Sequence, residues 1–278
     1  MKTYKIMAAD IDGTLRGRKR KEIGPVTTEA FRKLHEKGVL IGIASGRPLW
    51  QGVSQHAQEW NLGFEFDYLI GMNGSELFDA HTGKKEEFYS LSCDTLHEIV
   101  GKMHDLDLNP FVYRDGYMLS LKEDDEMLAS AHRHMGGFKI AKDESELYAE
   151  PTAKILYRCG TNKRRIKAEE YARSICTDRY TVFATGPTLI EFQDPRINKG
   201  VALKRYCEEQ GLSIEDAMAF GDAENDLQML KIAGWSVCVK DGMDNVKVVS
   251  NDLTYLDCDE DGVGDYILKN IDHFTSAK

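Results

Sequence analysis

Six prolines among 278 residues, no C-x-x-C pair, and no apolar run near the ~18–20 residues that cross a bilayer narrow this sequence by what it lacks. Six cysteines, at 93, 159, 176, 207, 238 and 258, are too scattered for a disulfide framework or a zinc site, and read as reduced, mostly buried thiols. His132 and His134 come nearest to a metal-binding pair. They stand two apart, which on a helix sets them on different faces. Positive charge is also short: 36 Lys and Arg face 46 Asp and Glu, a net charge of −10. That balance argues against a chain whose task is gripping nucleic acid. Asp10 and Asp12 fall where a signal peptide would need an apolar core, so the expectation is a cytoplasmic protein with no membrane association.

What is present is alternation. The runs "YKIMAAD" (4–10), "VLIGIASG" (39–46), "DAMAFGD" (216–222) and "WSVCV" (235–239) are apolar without a polar face and stop abruptly. They read as parallel strands covered on both sides. Helical spacing separates them: Ala30, Phe31 and Leu34 before Gly38; Val201, Leu203 and Tyr206 before Gly211; Leu227, Leu230 and Ala233. The middle differs. "PFVYRDGYMLSL" reads as a hairpin turning at Asp115-Gly116, with further strands at 154–159 and 180–184 and helices near 94–106 and 163–175. The fold class is therefore α/β, a doubly wound, mostly parallel sheet with an inserted α+β domain. The expected division is a core of residues 1–83 and 189–278, interrupted by an insertion over 84–188.

Chemistry collects where the buried strands stop: Asp10 and Asp12, Ser45, Asp222. In a doubly wound sheet these carboxyl ends line the ligand crevice. Two carboxylates one residue apart, with Asp222 and Asp226 beyond another strand, form a donor set for a hard divalent cation. Mg2+ is the expected one, completed by waters and a substrate phosphate. Asp-x-Asp-Gly and Gly-Asp are also ordinary turn sequences, so neither motif decides alone. Ser45 and Gly46 suit an anion at a strand end. Lys199 stands in the first turn of a helix, a poor place for a cation unless an anion lies beside it.

"DIDGTL" (10–15), "ASGRP" (44–48), "NKGVAL" (198–203) and "GDAENDLQML" (221–230) resemble, in order, the four motifs of the haloacid dehalogenase-like (HAD) hydrolase superfamily. Asp10 and Ser45 lie 35 residues apart and Ser45 and Lys199 154 apart, so a large cap fits only between the second and third motifs. This resembles the class IIB arrangement of Cof-type phosphatases, and "MNGSELFD" (72–79) and "DEDGVGDYI" (259–267) resemble segments of the same family. The resemblance implies a Rossmann-like core with a cap at 84–188 that sets specificity, and an aspartyl-phosphate mechanism. Asp10 would be the nucleophile and Asp12 the acid/base, a role that like-charge neighbours raising its pKa would help. Mg2+ would be held by Asp10, the backbone carbonyl of Asp12 and Asp222, supported by Asp226. Ser45, Gly46, Arg47, Lys199 and Asn225 would contact phosphate or substrate, with Thr14, Gly13 and Asn73 around them.

The chain departs from the family at Lys240-Asp241, where Gly and Asn are usual, and at Arg196-Ile197, where a glycine is common. The expected substrate is a small phosphorylated metabolite, a sugar phosphate or a phosphorylated cofactor, and the expected state a monomer or homodimer. Two alternatives stand beside hydrolysis: a phosphomannomutase-like phosphomutase, and a catalytically weak anion- or nucleic-acid-binding protein on the same fold. The second rests on the basic run Arg16, Arg18, Lys19, Arg20, Lys21, which reads otherwise as a solvated linker or a device for steering anions.

Overall fold

The computed structural model describes residues 2–17, 19, 20, 22–50, 53–133 and 137–277. His134, the side chain of His132, Arg18 and Lys21 lie outside the described residues. The chain forms two compact units, one of Met1–Leu49, Val53–Glu87 and Asn198–Lys278, the other of Phe88–Ile197 with Trp50–Gly52. Among the described residues, no helix is long and apolar enough to cross a membrane.

The first unit begins with β1 (Ile6–Ala9), α1 (Pro25–Glu36), β2 (Leu40–Ala44), α2 (His56–Glu59), β3 (Tyr68–Gly71), β4 (Glu76–Asp79) and β5 (Lys84–Glu87). The second holds α3 (Cys93–Met103), β6 (Asn109–Arg114), β7 (Tyr117–Ser120), α4 (Asp125–Arg133), β8 (Gly137–Ile140), β9 (Lys154–Arg158), α5 (Asn162–Ser174), β10 (Thr181–Ala184) and β11 (Leu189–Gln193). The chain then returns through α6 (Lys199–Glu209), β12 (Ala217–Gly221), α7 (Leu227–Ile232), β13 (Trp235–Cys238), α8 (Asp244–Lys247), β14 (Asp252–Leu253) and α9 (Gly262–Lys269).

In the first unit eight strands run in the order β14-β13-β12-β1-β2-β3-β4-β5. All neighbours from β14 to β3 are parallel, and β4 and β5 add antiparallel strands at one edge. The winding leaves β1 toward β2 on one side and returns through β12 on the other, so the switch point lies at the end of β1. Register aligns that end: Ala9 stands opposite both Ile43 and Phe220. Asp10, Ser45 and Asp222 therefore follow from strands that finish at nearly one level. On one face Met7, Ile41, Ile43, Leu69 and Phe220 pack with Phe31 and Leu34 of α1 and Tyr266 and Ile267 of α9. On the other, Tyr68 stacks on Tyr206 of α6 at 4.1 Å between ring centroids and donates a hydrogen bond to the Met7 carbonyl, 3.0 Å. Gly42, in the middle of β2, is required there: a Cβ would lie 2.3 Å from the Tyr68 ring.

The second unit carries a six-stranded sheet in the order β10-β11-β9-β6-β7-β8, antiparallel except for β7 beside β8. One face is packed by Leu96, Ile99 and Val100 of α3 and Ala168 and Ala172 of α5 against Val112, Ile155, Tyr157 and Phe192. The expected turn is present, with Asp115 and Gly116 both in the left-handed region, φ 48° and 83°. The expected borders of the insertion shift, however. β5 reads KKEE, with no apolar residue to mark it, yet it pairs with β4 in the first sheet. β11, assigned from sequence to the core, pairs with β9 and β10 in the second. The divide thus falls after Glu87 and before Asn198.

One helix start is completed from far away. α1 opens with Gly24 as N-cap and Pro25 in its first turn, and Gly24 has no side chain to cap with. Asp261 supplies the acceptors: Val26 N donates to it at 3.3 Å, Thr27 Oγ1 at 3.4 Å and Arg20 Nη1 at 3.1 Å. Replacing Asp261 by Ala is expected to cost about 1–2 kcal/mol, the value of a helix cap, read as a lowered midpoint in urea denaturation.

Candidate active site

The loop after β1 is drawn into a curl. Leu15 N and Arg16 N both donate to the Ile11 carbonyl, at 3.1 and 2.8 Å, and Gly13 N donates to the Arg16 carbonyl at 2.8 Å. Gly13 is left-handed, φ 97°, and a Cβ on it would lie 2.4 Å from Asp222 Oδ2. Only glycine lets the loop close on the end of β12. Thr14 Oγ1 then donates to Asp222 Oδ1 at 2.7 Å, and Cys258 Sγ meets the Thr14 carbonyl at 3.1 Å.

Lys199 is the first residue of α6, whose N-cap Asn198 accepts a hydrogen bond from Val201 N at 3.0 Å. Its side chain is wholly buried and its Nζ donates to Asp10 and to Asp226 Oδ1, the latter at 2.7 Å. The other Asp226 oxygen accepts from the amides of Asp222 and Ala223, 3.0 and 3.1 Å. A single lysine thus joins β1 to the turn after β12. Burial alone would lower the Lys199 pKa, but Asp10 and Asp226 outweigh it and hold the ammonium charged.

Oxygens of Asp10, Asp222 and Asp226 all lie within 4.8 Å of one another. Three carboxylates and one ammonium leave net negative charge in a buried place. Burial pushes Asp10 well above the ordinary carboxylate range, with Asp226 and Asp222 adding to it against the opposing pull of Lys199. Burial and Asp226 push Asp222 up to about 7. Such a donor set fits a hard cation, because oxygen ligands need a positive charge to ionise together there.

The phosphate-side residues collect around two backbone crossings. Ser45 N donates to the Ile70 carbonyl at 2.8 Å, and Ser45 Oγ accepts from Arg47 N at 3.1 Å. Met72, Asn73 and Gly74 are consecutive left-handed residues, φ 49°, 58° and 106°. They turn the chain after β3 so that Asn73 N donates to the Ser45 carbonyl at 3.0 Å. The Asn73 side chain accepts from Asn225 Nδ2 at 3.2 Å, and a Cβ on Gly46 would lie 3.0 Å from the same Asn73 oxygen. Gly74 passes so close to α6 that a Cβ would lie 2.2 Å from the Asn198 carbonyl oxygen. Asn73 binds the two groups together more fully than the sequence suggested.

Asp12 departs from expectation. Its carboxylate lies on Arg47 and on Arg16 Nη2, the latter at 2.6 Å, rather than among the other acids. Burial would raise its pKa, but the two guanidinium groups overcome that and hold it at about 2. Its carboxylate thus meets two cations rather than the like charges that would help to raise its pKa. Spacing placed Asp12 beside Asp10, but alternate positions past a strand end do not fix where a side chain turns. The basic run is not a free flank either. Arg16 meets Asp12, Lys19 N donates to Asp259 Oδ1 at 3.1 Å, and Arg20 meets Asp261. Of the two departures, Asp241 accepts from Cys258 N at 2.9 Å, pinning its loop to the same acidic segment. Arg196 pairs with Asp194 at 2.7 Å and lies over the Tyr89 ring at 4.3 Å in the second unit.

Comparison with known proteins agrees with this geometry. Residues 7–267 match the family described as haloacid dehalogenase-like hydrolase. A Streptococcus pyogenes serotype M6 protein bearing a phosphatase name is 30% identical over 270 residues, 91% of this chain and 93% of that one. The HMP-PP phosphatase of Serratia proteamaculans is 28% identical over 267 residues, covering 95% and 94%. A solved HAD subclass IIB sugar phosphatase shares the fold at a TM-score of 0.82 and 20% identity, covering 97% of this chain and 99% of its own. The chain belongs to the haloacid dehalogenase-like hydrolases, as a phosphatase of the Cof type.

Proposed function

We propose that the protein is a Mg2+-dependent phosphatase of small phosphorylated metabolites that works through an aspartyl-phosphate on Asp10. The observation that carries this reading is the buried Lys199, shared by Asp10 and Asp226 beside Asp222. A lysine so placed keeps the nucleophile oriented and supplies fixed positive charge where phosphoryl oxygens gather. Asp10, Asp222 and the backbone carbonyl of Asp12 would hold Mg2+, with Asp226 in support. The bound ion would supply charge neutralisation for the phosphate dianion.

The covalent steps belong to the two aspartates. Asp10 bonds to phosphorus as the bond from phosphorus to the leaving oxygen breaks. That electron pair stays on the leaving oxygen, which takes a proton from Asp12. Asp12, then a carboxylate, takes a proton from water as the water oxygen bonds to phosphorus and Asp10 departs as a carboxylate. The sum is phosphomonoester plus water giving an alcohol and inorganic phosphate. Ser45, Gly46, Asn225 and Asn73 surround the phosphoryl group, and Arg47 meets its charge. We assign leaving-group selectivity to the unit Phe88–Ile197, which supplies side chains outside the four motifs.

A phosphate-release screen with Mg2+ should include sugar phosphates, HMP-PP, nucleotides and phosphorylated cofactors, ranked by kcat/KM. Steady release is expected without an added bisphosphate, which separates hydrolysis from a mutase. Asp10→Asn is expected to lower kcat by at least about a thousandfold, the order found when a covalent nucleophile is lost. Retained activity in Asp10→Asn defeats the assignment.

Mg2+ added to the metal-free chain should raise the thermal midpoint of the wild type. The shift should be small or absent in Asp222→Asn, which loses one carboxylate charge from the donor set. Equal shifts in the two proteins place the ion elsewhere.

A further inference from the structure

Asp12 has a double duty in the reaction proposed above, giving a proton to the leaving oxygen and then taking one from water. Its carboxylate nevertheless has both oxygens engaged, Oδ1 by Arg16 and Oδ2 by Arg47. To exchange a proton with the leaving oxygen, Asp12 must present one of these oxygens to it. One of the two guanidinium groups therefore gives up its place to the leaving oxygen.

The two arginines differ in what they are built on. Arg47 sits on the loop after β2: its amide donates to Ser45 Oγ at 3.1 Å, and its carbonyl accepts from Met72 N at 2.9 Å. It belongs to the group of residues that faces phosphate in the proposed reaction, and a guanidinium pairs with phosphate through the same two-bond fork as with carboxylate. Arg16 belongs to Asp12's own loop. Its amide is bound to the Ile11 carbonyl and its carbonyl to Gly13 N, both at 2.8 Å, so it keeps its place relative to Asp12. Its side chain is only 16% exposed, against 51% for that of Asp12. An ion pair between exposed side chains four residues apart contributes little to stability. This one is fixed by three backbone hydrogen bonds on the residues between and beside its partners.

We propose that Arg16 is the positioning residue of the acid/base, retaining Asp12 Oδ1 while Arg47 turns to the phosphoryl oxygens and Oδ2 is left to face the leaving oxygen. The residue emerges from a stretch that composition alone marks as a basic flank. The proposal rests on the phosphatase reading and adds to it a role for a residue outside the catalytic set.

The test compares leaving groups. An alkyl phosphomonoester needs a proton on its departing oxygen, whereas 4-nitrophenyl phosphate releases a stable phenolate without one. kcat/KM reports the steps up to that departure. In Arg16→Met, kcat/KM for the alkyl ester is expected to fall at least about tenfold and that for 4-nitrophenyl phosphate less than about threefold, the asymmetry of a displaced general acid. Arg16→Lys, which restores a cation to Oδ1, should recover most of the alkyl activity. Arg16→Gln is made alongside, so that a folding defect in one variant, visible as a lowered thermal midpoint, does not decide the outcome. Equal falls on both substrates, or none on either, overturn the positioning role. A wild type that releases phosphate from no substrate of the screen overturns the phosphatase reading instead.

Discussion

The arrangement at the ends of β1 and β12 depends on one ammonium group buried between two carboxylates. Lys199 is wholly buried, and Asp10 and Asp226 hold its charge. Removing Lys199 would leave buried carboxylates uncompensated, a loss of about 3–5 kcal/mol for pairs of this kind. The same constraint governs what surrounds it. Asp226 spends its second oxygen on two backbone amides, which sets the turn after β12 and with it the position of Asp222. Asn198 caps α6 and so holds Lys199 in its first turn. The macrodipole, unfavourable to a lysine there, is opposed by the two carboxylates.

Much of this was legible because buried strands announce their ends. Three of the four apolar runs stop at a residue with chemistry, and in a parallel sheet with aligned register those stops meet. Lys199 was readable for a related reason, since a cation in the first turn of a helix needs an explanation. The illegible parts have equally physical causes. β5 is an edge strand of lysines and glutamates, and hydrophobic periodicity carries no information about it. β11 reads LIEFQ, an alternation compatible with either sheet, and only its pairing partners decide. The direction of the Asp12 carboxylate depends on Arg47, 35 residues away, and on a loop curl that spacing does not encode.

Local backbone strain concentrates beside the site. Met72 and Asn73 are non-glycine residues in the left-handed region, followed directly by Gly74. Such conformations persist where surrounding contacts over-determine them. Here the determinants are Asn73's hydrogen bonds to Ser45 and Asn225 and the close passage of Gly74 over Asn198. The segment therefore ties the ends of β2 and β3 to the start of α6, three elements that each contribute one polar group to the crevice.

Asp259 and Asp261 tie the start of the first unit to its far end. Lys19 meets its partner 240 residues further along the chain, and the start of α1 meets its cap 235 residues further. Closing loops of that length is entropically expensive and slow relative to local structure. The start of α1 is therefore capped only when the segment around Asp261 is in place. Order at the loop after β1 is thus tied to the folding of the first unit as a whole.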